Sequence, residues 1–486
     1  GHMSFGIWPA LALSPMPGVH VPVCHSAALP HVILRRSSSS THPLRALAMS
    51  LTHCDISRRT AMASAAAVSL SLAISGQSAP AVASMEGTDW ALWPALPLAP
   101  YGERKTVMRE AVAGKAYVFD QMLGVFYVHV PIRMSVIAMD AGGLFIFAPI
   151  APTKECLALL QPLIDEHGPV KHIVLPSVAP EHKVLAGPFA RTFPQAEFWM
   201  TDGQYSFPID LPPSWLGLPA RRINVLQRSS RDGARPFGDE FEHEVLTAKA
   251  SANSLYQDVA VFHRPSSSLL LVDAVQSISA EPPQILTAEP RYRRALLYHA
   301  RDEPLERVAD SPEVWRKGWQ RIALFANFFM PGSLLMLDAK QYLPDALRTP
   351  MPELGWAGVL PFTWDASTPE AFGALSGGGA AAVAPIIQII LSRSPEASTR
   401  WVSTVCSWPF STVLPCHFDA PLQLTPSQLR AAFAFLDSRT NAVRYCDKDV
   451  AFLRDALEGL PPDLALFPTP FGPLQGTACY ASNRDV

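Results

Sequence analysis

Three short stretches of this 486-residue chain constrain its fold more than anything else in it. In each, a run of apolar residues of strand length ends on a side chain able to bind a metal. Ile173-Val174-Leu175 leads through a Pro-containing turn to Glu181-His182. Leu269-Leu270-Leu271-Val272 stops at Asp273, and Val413-Leu414-Pro415-Cys416 stops at His417. Continuous apolar runs of this length read as strands buried on both faces. In an α/β sheet the residues just past the carboxyl ends of strands line the binding crevice. A carboxylate that follows four apolar residues needs a partner or a cation. Taken together, Glu181, His182, Asp273 and His417 form a nitrogen and oxygen donor set suited to zinc, iron or manganese. Taken singly, a strand-terminal Asp is commonly a cap and a lone His a hydrogen-bonded core residue.

The pattern around these stretches is α/β. Strands are expected at 125–130, 134–139 and 144–148, with a Gly142-Gly143 turn before the third. Thr153 is a good N-cap for a helix with Leu157, Leu160 and Ile164 on one face. Pro162 should kink that helix and Gly168-Pro169 should stop it, before a strand at 172–175. Strands at 259–263 and 269–272 flank a turn over Arg264-Pro265-Ser266-Ser267. The residues 313–329 carry Trp315, Trp319, Ile322 and Phe329 at helical spacing. The segment 402–407 fits helix or strand. Thr425-Pro426-Ser427-Gln428 is a capping-box start for a helix with Leu429, Phe433 and Leu436. The residues 85–120 should wrap the outside of a domain spanning 121–440, and 441–486 should form an extension with a Pro-rich surface tail at 460–476.

The first 84 residues have a different composition. Gly1-His2-Met3 looks like a tag scar, and no Asp or Glu occurs before Asp55. Arg35, Arg36 and Arg45 with the serine run 37–40 give the acid-poor signature of an organelle transit peptide. Arg58-Arg59, an apolar stretch at 61–74 and Ala81-Val82-Ala83 then read as a twin-arginine export signal. In series they imply chloroplast import and transfer to the thylakoid lumen. Neither 61–74 nor the apolar run 380–391 is long enough to span a membrane. The latter reads as a buried or surface-docked helix. The net charge of −3, from 39 basic and 42 acidic residues, gives no basic excess for nucleic acid. Cys156, Cys406, Cys416, Cys446 and Cys479 lie outside the leader without any C-x-x-C pair, which excludes zinc-finger and thioredoxin motifs. Cys406 and Cys416 are near enough in sequence to pair.

Several phrases resemble one family. They are Glu181-His182-Lys183-Val184 with the residues 187–194, Phe262-His263-Arg264-Pro265-Ser266 with 270–275, Lys317-Gly318-Trp319-Gln320-Arg321, and His417-Phe418-Asp419-Ala420-Pro421. Over roughly 115–440 the chain resembles a plant, algal and cyanobacterial branch, a domain of unknown function, of the metallo-β-lactamase superfamily. The resemblance implies a four-layer αββα sandwich. The superfamily hallmark H-x-H-x-D-H falls on residues 177–182, so Ser177 and Ala179 stand where two first-site histidines belong. A third such position falls near Asn253, and Ala148 replaces the Asp usual after the second strand. The second metal site keeps competent residues: Glu181 for an Asp, His182, Asp273 and His417.

The resemblance thus implies a plastid hydrolase with a single divalent metal in the second site, activating water against an ester-, thioester- or phosphoester-type small-molecule substrate. His263 and Tyr205 are candidate helpers, and Asp202 a further polar group. The alternative is a metal-free scaffold that binds a photosynthetic protein, a pigment or a lipid, with 380–390 as its docking surface.

Overall fold

Alternation of side chains along the strands determines the layers. The computed structural model describes residues 87–90, 99–100, 102–125, 127–204, 212–233, 235–249, 255–355, 358–436 and 445–458, all within one unit. The leader 1–84, Tyr205, Asn253 and the tail 460–476 lie outside the described residues.

A seven-stranded sheet runs in sequence order: β1 (Val107–Val112), β2 (Ala116–Val125), β3 (Val128–Ala138), β4 (Leu144–Phe147), β5 (Val170–Leu175), β6 (Glu197–Met200) and β7 (Ile223–Val225). The first three pairings are antiparallel and the last three parallel. A five-stranded sheet follows: β8 (Phe241–Lys249), β9 (Leu255–His263), β10 (Ser268–Leu271), β11 (Thr412–Pro415) and β12 (Leu422–Gln423). Within it only β10 and β11 pair in parallel.

The two sheets face each other. Phe145, Phe147 and Val174 of the first share a cluster with Val245, Val259, Val261, Leu270 and Leu414 of the second. The neighbouring positions point the other way, as the strand period of two requires. Leu144, Ile146, Ile173 and Leu175 pack on α1 (Lys154–His167) and α2 (Pro180–Thr192) through Cys156, Leu160, Leu185 and Phe189. Leu246, Ala260, Phe262 and Leu271 pack instead with Leu296, Trp319, Ile322, Ile386 and Trp401. Those residues belong to α3 (Pro290–Ala300), α4 (Pro312–Phe328), α5 (Pro385–Ser392) and α6 (Pro395–Val405). The order helix, sheet, sheet, helix is the αββα sandwich.

Several local expectations match. Thr153 caps α1 by accepting from the Cys156 amide, and the capping box at Thr425 and Gln428 is present. Others are corrected. Within the stretch expected to wrap the outside, β1 and β2 are sheet strands, and Ala116 and Val118 are fully buried. The expected strand 125–130 is a tight hairpin between β2 and β3, because Tyr127 takes a left-handed φ of 66°. Segment 402–407 contains the end of helix α6. The helix opened by Thr425 ends at Ala432, so Leu436 lies on a separate 3-10 turn. The proposed docking patch is core: Ile386, Ile387, Ile389 and Ile390 of α5 are all buried. Cys406 and Cys416 are both free thiols. No helix among the described residues is long and apolar enough to cross a membrane.

Two buried imidazoles give the fold a pH signature. His299 donates from Nε2 to the Tyr127 carbonyl at 3.1 Å and stacks on Phe362, while His129 stacks on Tyr127. Burial lowers His129 to about 4, and burial with the charges of His129, Arg321 and Arg301 lowers His299 to about 3. Above pH 6.5 both rings are neutral folded and unfolded. Below it the unfolded chain takes up protons that the folded chain refuses until pH 4 and lower. Stability should therefore fall between pH 6 and 4, by up to ~1.4 kcal/mol per pH unit for each ring. His299→Gln should remove its share of that slope in urea unfolding midpoints. An unchanged slope would show that the native ring accepts the proton.

Candidate metal centre

The parallel register of β10 and β11 builds half of the site. Leu271 pairs with Pro415, and the Cys416 amide donates to the Val272 carbonyl. Two residues further on, the same register sets Asp273 beside His417, with Nε2 3.5 Å from Oδ1. The other half comes from the first sheet. β5 ends at Leu175, and the chain turns through Pro176–Ala179 into α2, whose first turn begins Pro180-Glu181-His182. One ligand atom each of Glu181, His182 and His417 lies within 4.8 Å of the others, and the two imidazoles meet edge to face at 5.4 Å.

Burial makes this cluster costly unless something else binds it. Glu181 is 1% exposed and His182 fully buried. Both carboxylate oxygens of Glu181 and both ring nitrogens of His182 lack a hydrogen-bond partner. Each such group costs about 1–3 kcal/mol, more when charged. A small cation between them would satisfy the Glu181 carboxylate and one ring nitrogen of His182. His417 is oriented for that role, since its Nδ1 donates to the Pro131 carbonyl at 2.9 Å. This tautomer leaves the Nε2 lone pair facing the Asp273 carboxylate. Two acceptors that close need a proton or a cation between them.

The charges tell the same story. Burial, then the charge of Asp273, raises Glu181 well above its ordinary value. Burial alone raises Asp273 to about 7. Burial holds His417 at about 4, and burial with the neighbouring His417 holds His182 well below the usual histidine range. The pocket therefore resists ionised carboxylates and imidazolium alike, and a bound cation would favour ionised carboxylates and neutral imidazoles, the forms that ligate. The cluster is consistent with a divalent metal.

Asp258, which no sequence motif singles out, shapes this site. Its fully buried carboxylate accepts from the Asp273 and Ala274 amides at 3.0 Å and from Tyr256 Oη at 3.2 Å. Its backbone pairs with Ser177, and the Val259 amide donates to the Pro176 carbonyl, so strand β9 meets the turn that follows β5. Its one signal in the sequence is a lone carboxylate leading into the apolar run 259–263.

Ser177 and Ala179, where the resemblance implied histidines, serve the backbone. Ser177 Oγ accepts from the Ala179 amide ahead of α2, and Gln204 Nε2 donates to the Ser177 carbonyl. Ala148 is fully buried with a left-handed φ of 54°, where no carboxylate stands. His263 is corrected as a helper. It sits at the opposite end of β10, hydrogen-bonded to Ser266 Oγ and Glu240, with its ring against Phe241. Asp202 accepts from Gln257 Nε2 and belongs to a structural contact between segments.

Comparison with solved structures gives distant likenesses. The DIM-1 metallo-β-lactamase exposed to ceftazidime is 11% identical with a TM-score of 0.35, over 69% of this chain and 98% of that one. The metal-soaked Flv1 flavodiiron core from Synechocystis is 11% identical with a TM-score of 0.34, over 68% of this chain. A flavoprotein from Thermotoga maritima is 9% identical with a TM-score of 0.34, over 69% of this chain. The chain spans about three fifths of the latter two, 61% and 62% of their lengths. The αββα order follows from the chain's own sheets, not from these overlaps. No curated protein matches the chain. Residues 113–435 do match a family model, about two thirds of the chain and all four candidate donors. The chain belongs to the family described as Domain of unknown function (DUF4336).

Proposed function

We propose that the protein is a metal-dependent hydrolase of the plastid. In this reading Glu181, His182, Asp273 and His417 hold one divalent cation, and the substrate is a small molecule with an ester, thioester or phosphoester bond. The observation that carries the metal site is the set of buried donor atoms on Glu181 and His182 that no protein group satisfies. A divalent cation with an open position supplies Lewis acidity and brings the pKa of water toward 7.

The chain's own residues do the rest. Helix α2 fixes Glu181 and His182 rigidly at its first turn. Pro131 fixes the His417 tautomer, and Asp258 fixes the backbone that carries Asp273. Asp273 and His417 are the more open pair, with side chains 14% and 11% exposed. Substrate therefore enters on their side, and Asp273 is the carboxylate nearest to it. The apolar wall of Val272, Leu414 and Cys416 behind the pair excludes water and strengthens the electrostatics of the site. The plastid assignment draws on the acid-poor leader with its twin arginines.

Two experiments test this reading. Protein purified without chelator, then titrated separately with Zn²⁺, Fe²⁺ and Mn²⁺, should take up close to one equivalent. At 100 times the dissociation constant, the metal should stabilise the fold by about 2.7 kcal/mol. Asp273→Ala and His182→Ala should lose both uptake and stabilisation. Uptake that persists in both variants would move the metal elsewhere.

In the second, metal-loaded protein should hydrolyse a p-nitrophenyl ester or bis-p-nitrophenyl phosphate, and EDTA should abolish the rate. His417→Ala should fall to background. His263→Gln should keep the rate within about twofold, because its ring touches nothing in the site. Equal losses in both variants would refute the assignment of His417.

A further inference from the structure

We infer that the buried ion pair of Arg133 and Asp120 is the device that positions His417. This deepens the reading of His417 as a metal ligand and rests on it.

His417 does not sit on a strand. It lies past the end of β11, in the irregular connection to β12, where Phe418 takes a left-handed φ of 55°. For a bulky residue that conformation costs about 1–2 kcal/mol, so something must hold it. A buried irregular loop also exposes carbonyls that no ladder satisfies. Here a single guanidinium satisfies two of them. Arg133 Nη1 donates to the Pro415 carbonyl at 2.7 Å and Nη2 to the Phe418 carbonyl at 2.9 Å. The two carbonyls bracket His417, one on each side.

The guanidinium is itself held rigidly. Its Nε stands 2.6 Å from Asp120 Oδ1, with both side chains almost completely buried. Asp120 and Arg133 are direct partners in the β2–β3 register, so the pair is built into the most extended pairing of the seven-stranded sheet. The other oxygen of Asp120 binds Arg109 at 2.6 Å, and Arg109 in turn donates to the Ala420 carbonyl. Pro131, two residues before Arg133 on β3, accepts from His417 Nδ1. One strand of the first sheet thus holds the ring by its nitrogen and its loop by the flanking carbonyls. The fork geometry makes this a task for Arg, because a Lys ammonium cannot reach two carbonyls in one plane while facing a carboxylate.

The test separates positioning from plain stability. Arg133→Lys keeps the charge and loses the fork. It should raise the metal dissociation constant by about 10- to 100-fold, the range for residues that orient a ligand. Arg109→Lys, on the same carboxylate but further out, should change it by less than about threefold. In metal-free protein, ¹⁵N spectra of the His417 ring should show Nδ1–H alone in the wild type and a mixture of tautomers in Arg133→Lys. That readout stands even where the wild type takes up no metal, so failure of the ligand reading and failure of this one are distinguishable.

Should Arg133→Lys not fold, Asp120→Asn keeps the packing and should show the same tautomer mixing. A wild-type tautomer in whichever variant folds would overturn the proposal, as would a metal affinity in Arg133→Lys equal to that of Arg109→Lys.

Discussion

The parallel pairing of β10 with β11 is the constraint on which the site depends. These strands are 144 residues apart in sequence, yet the register Leu271 to Pro415 leaves no freedom to the residues just past their ends. Asp273 and His417 each stand two residues beyond paired positions, so they must arrive side by side. Slip the register by one residue and every side chain of β11 changes face. Leu414 would leave the layer between the sheets, and His417 would leave Asp273. The α3–α6 layer, inserted between the two strands in sequence, packs over the outer face of that sheet with Trp319 and Trp401 at its centre. That burial enforces the register, and through it the site.

The first sheet meets this arrangement at a second junction. Asp258 gathers the backbone around Asp273 and bridges to Ser177. Arg133 gathers the backbone around His417. Both side chains are buried and both act on main-chain groups, so the two ligand-bearing turns are fixed without regular structure of their own. The same economy does not extend to Glu181 and His182, whose polar atoms are buried and left bare. A typical domain has about 5–15 kcal/mol of net stability. Four unsatisfied donor atoms at about 1–3 kcal/mol each would consume a large part of it. A cation that took the Glu181 carboxylate and one nitrogen of His182 would offset part of that cost.

The α/β pattern and the candidate donors were legible from short-range pattern, while the αββα layering was implied by the family resemblance. Apolar runs that end in charge pointed to Glu181, His182, Asp273 and His417, of which Glu181, His182 and His417 cluster within 4.8 Å and Asp273 lies beside His417. Caps and periodicity gave α1 and α4. The features that stayed hidden depend on contacts between distant segments. Asp120 and Arg133 each look like a stray charge inside a strand, and only the hairpin register shows that they neutralise one another. Asp258 was invisible because its partners are, apart from Tyr256, backbone amides, which carry no sequence signature. His263 misled for the converse reason. It follows an apolar strand just as the true candidates do, but it ends β9 and so stands at the start of β10, opposite the end at which Asp273 follows. Direction along the sheet, not composition, separates it from the site. The run 380–391 read as an exposed surface or a core helix with equal ease, since periodicity cannot say what covers an apolar segment.

The turn between β5 and α2 is held by its own backbone and hydroxyl groups. Ser177 and Ala179 occupy the turn that aims α2, and Ser177 uses its hydroxyl to hold that turn. Backbone contacts join it to the second sheet, Ser177 to Asp258 and Val259 to Pro176. A buried carboxylate without a partner destabilises a fold unless some other group offsets it. Glu181 and His182, buried beside that turn without hydrogen-bond partners, are consistent with a divalent metal.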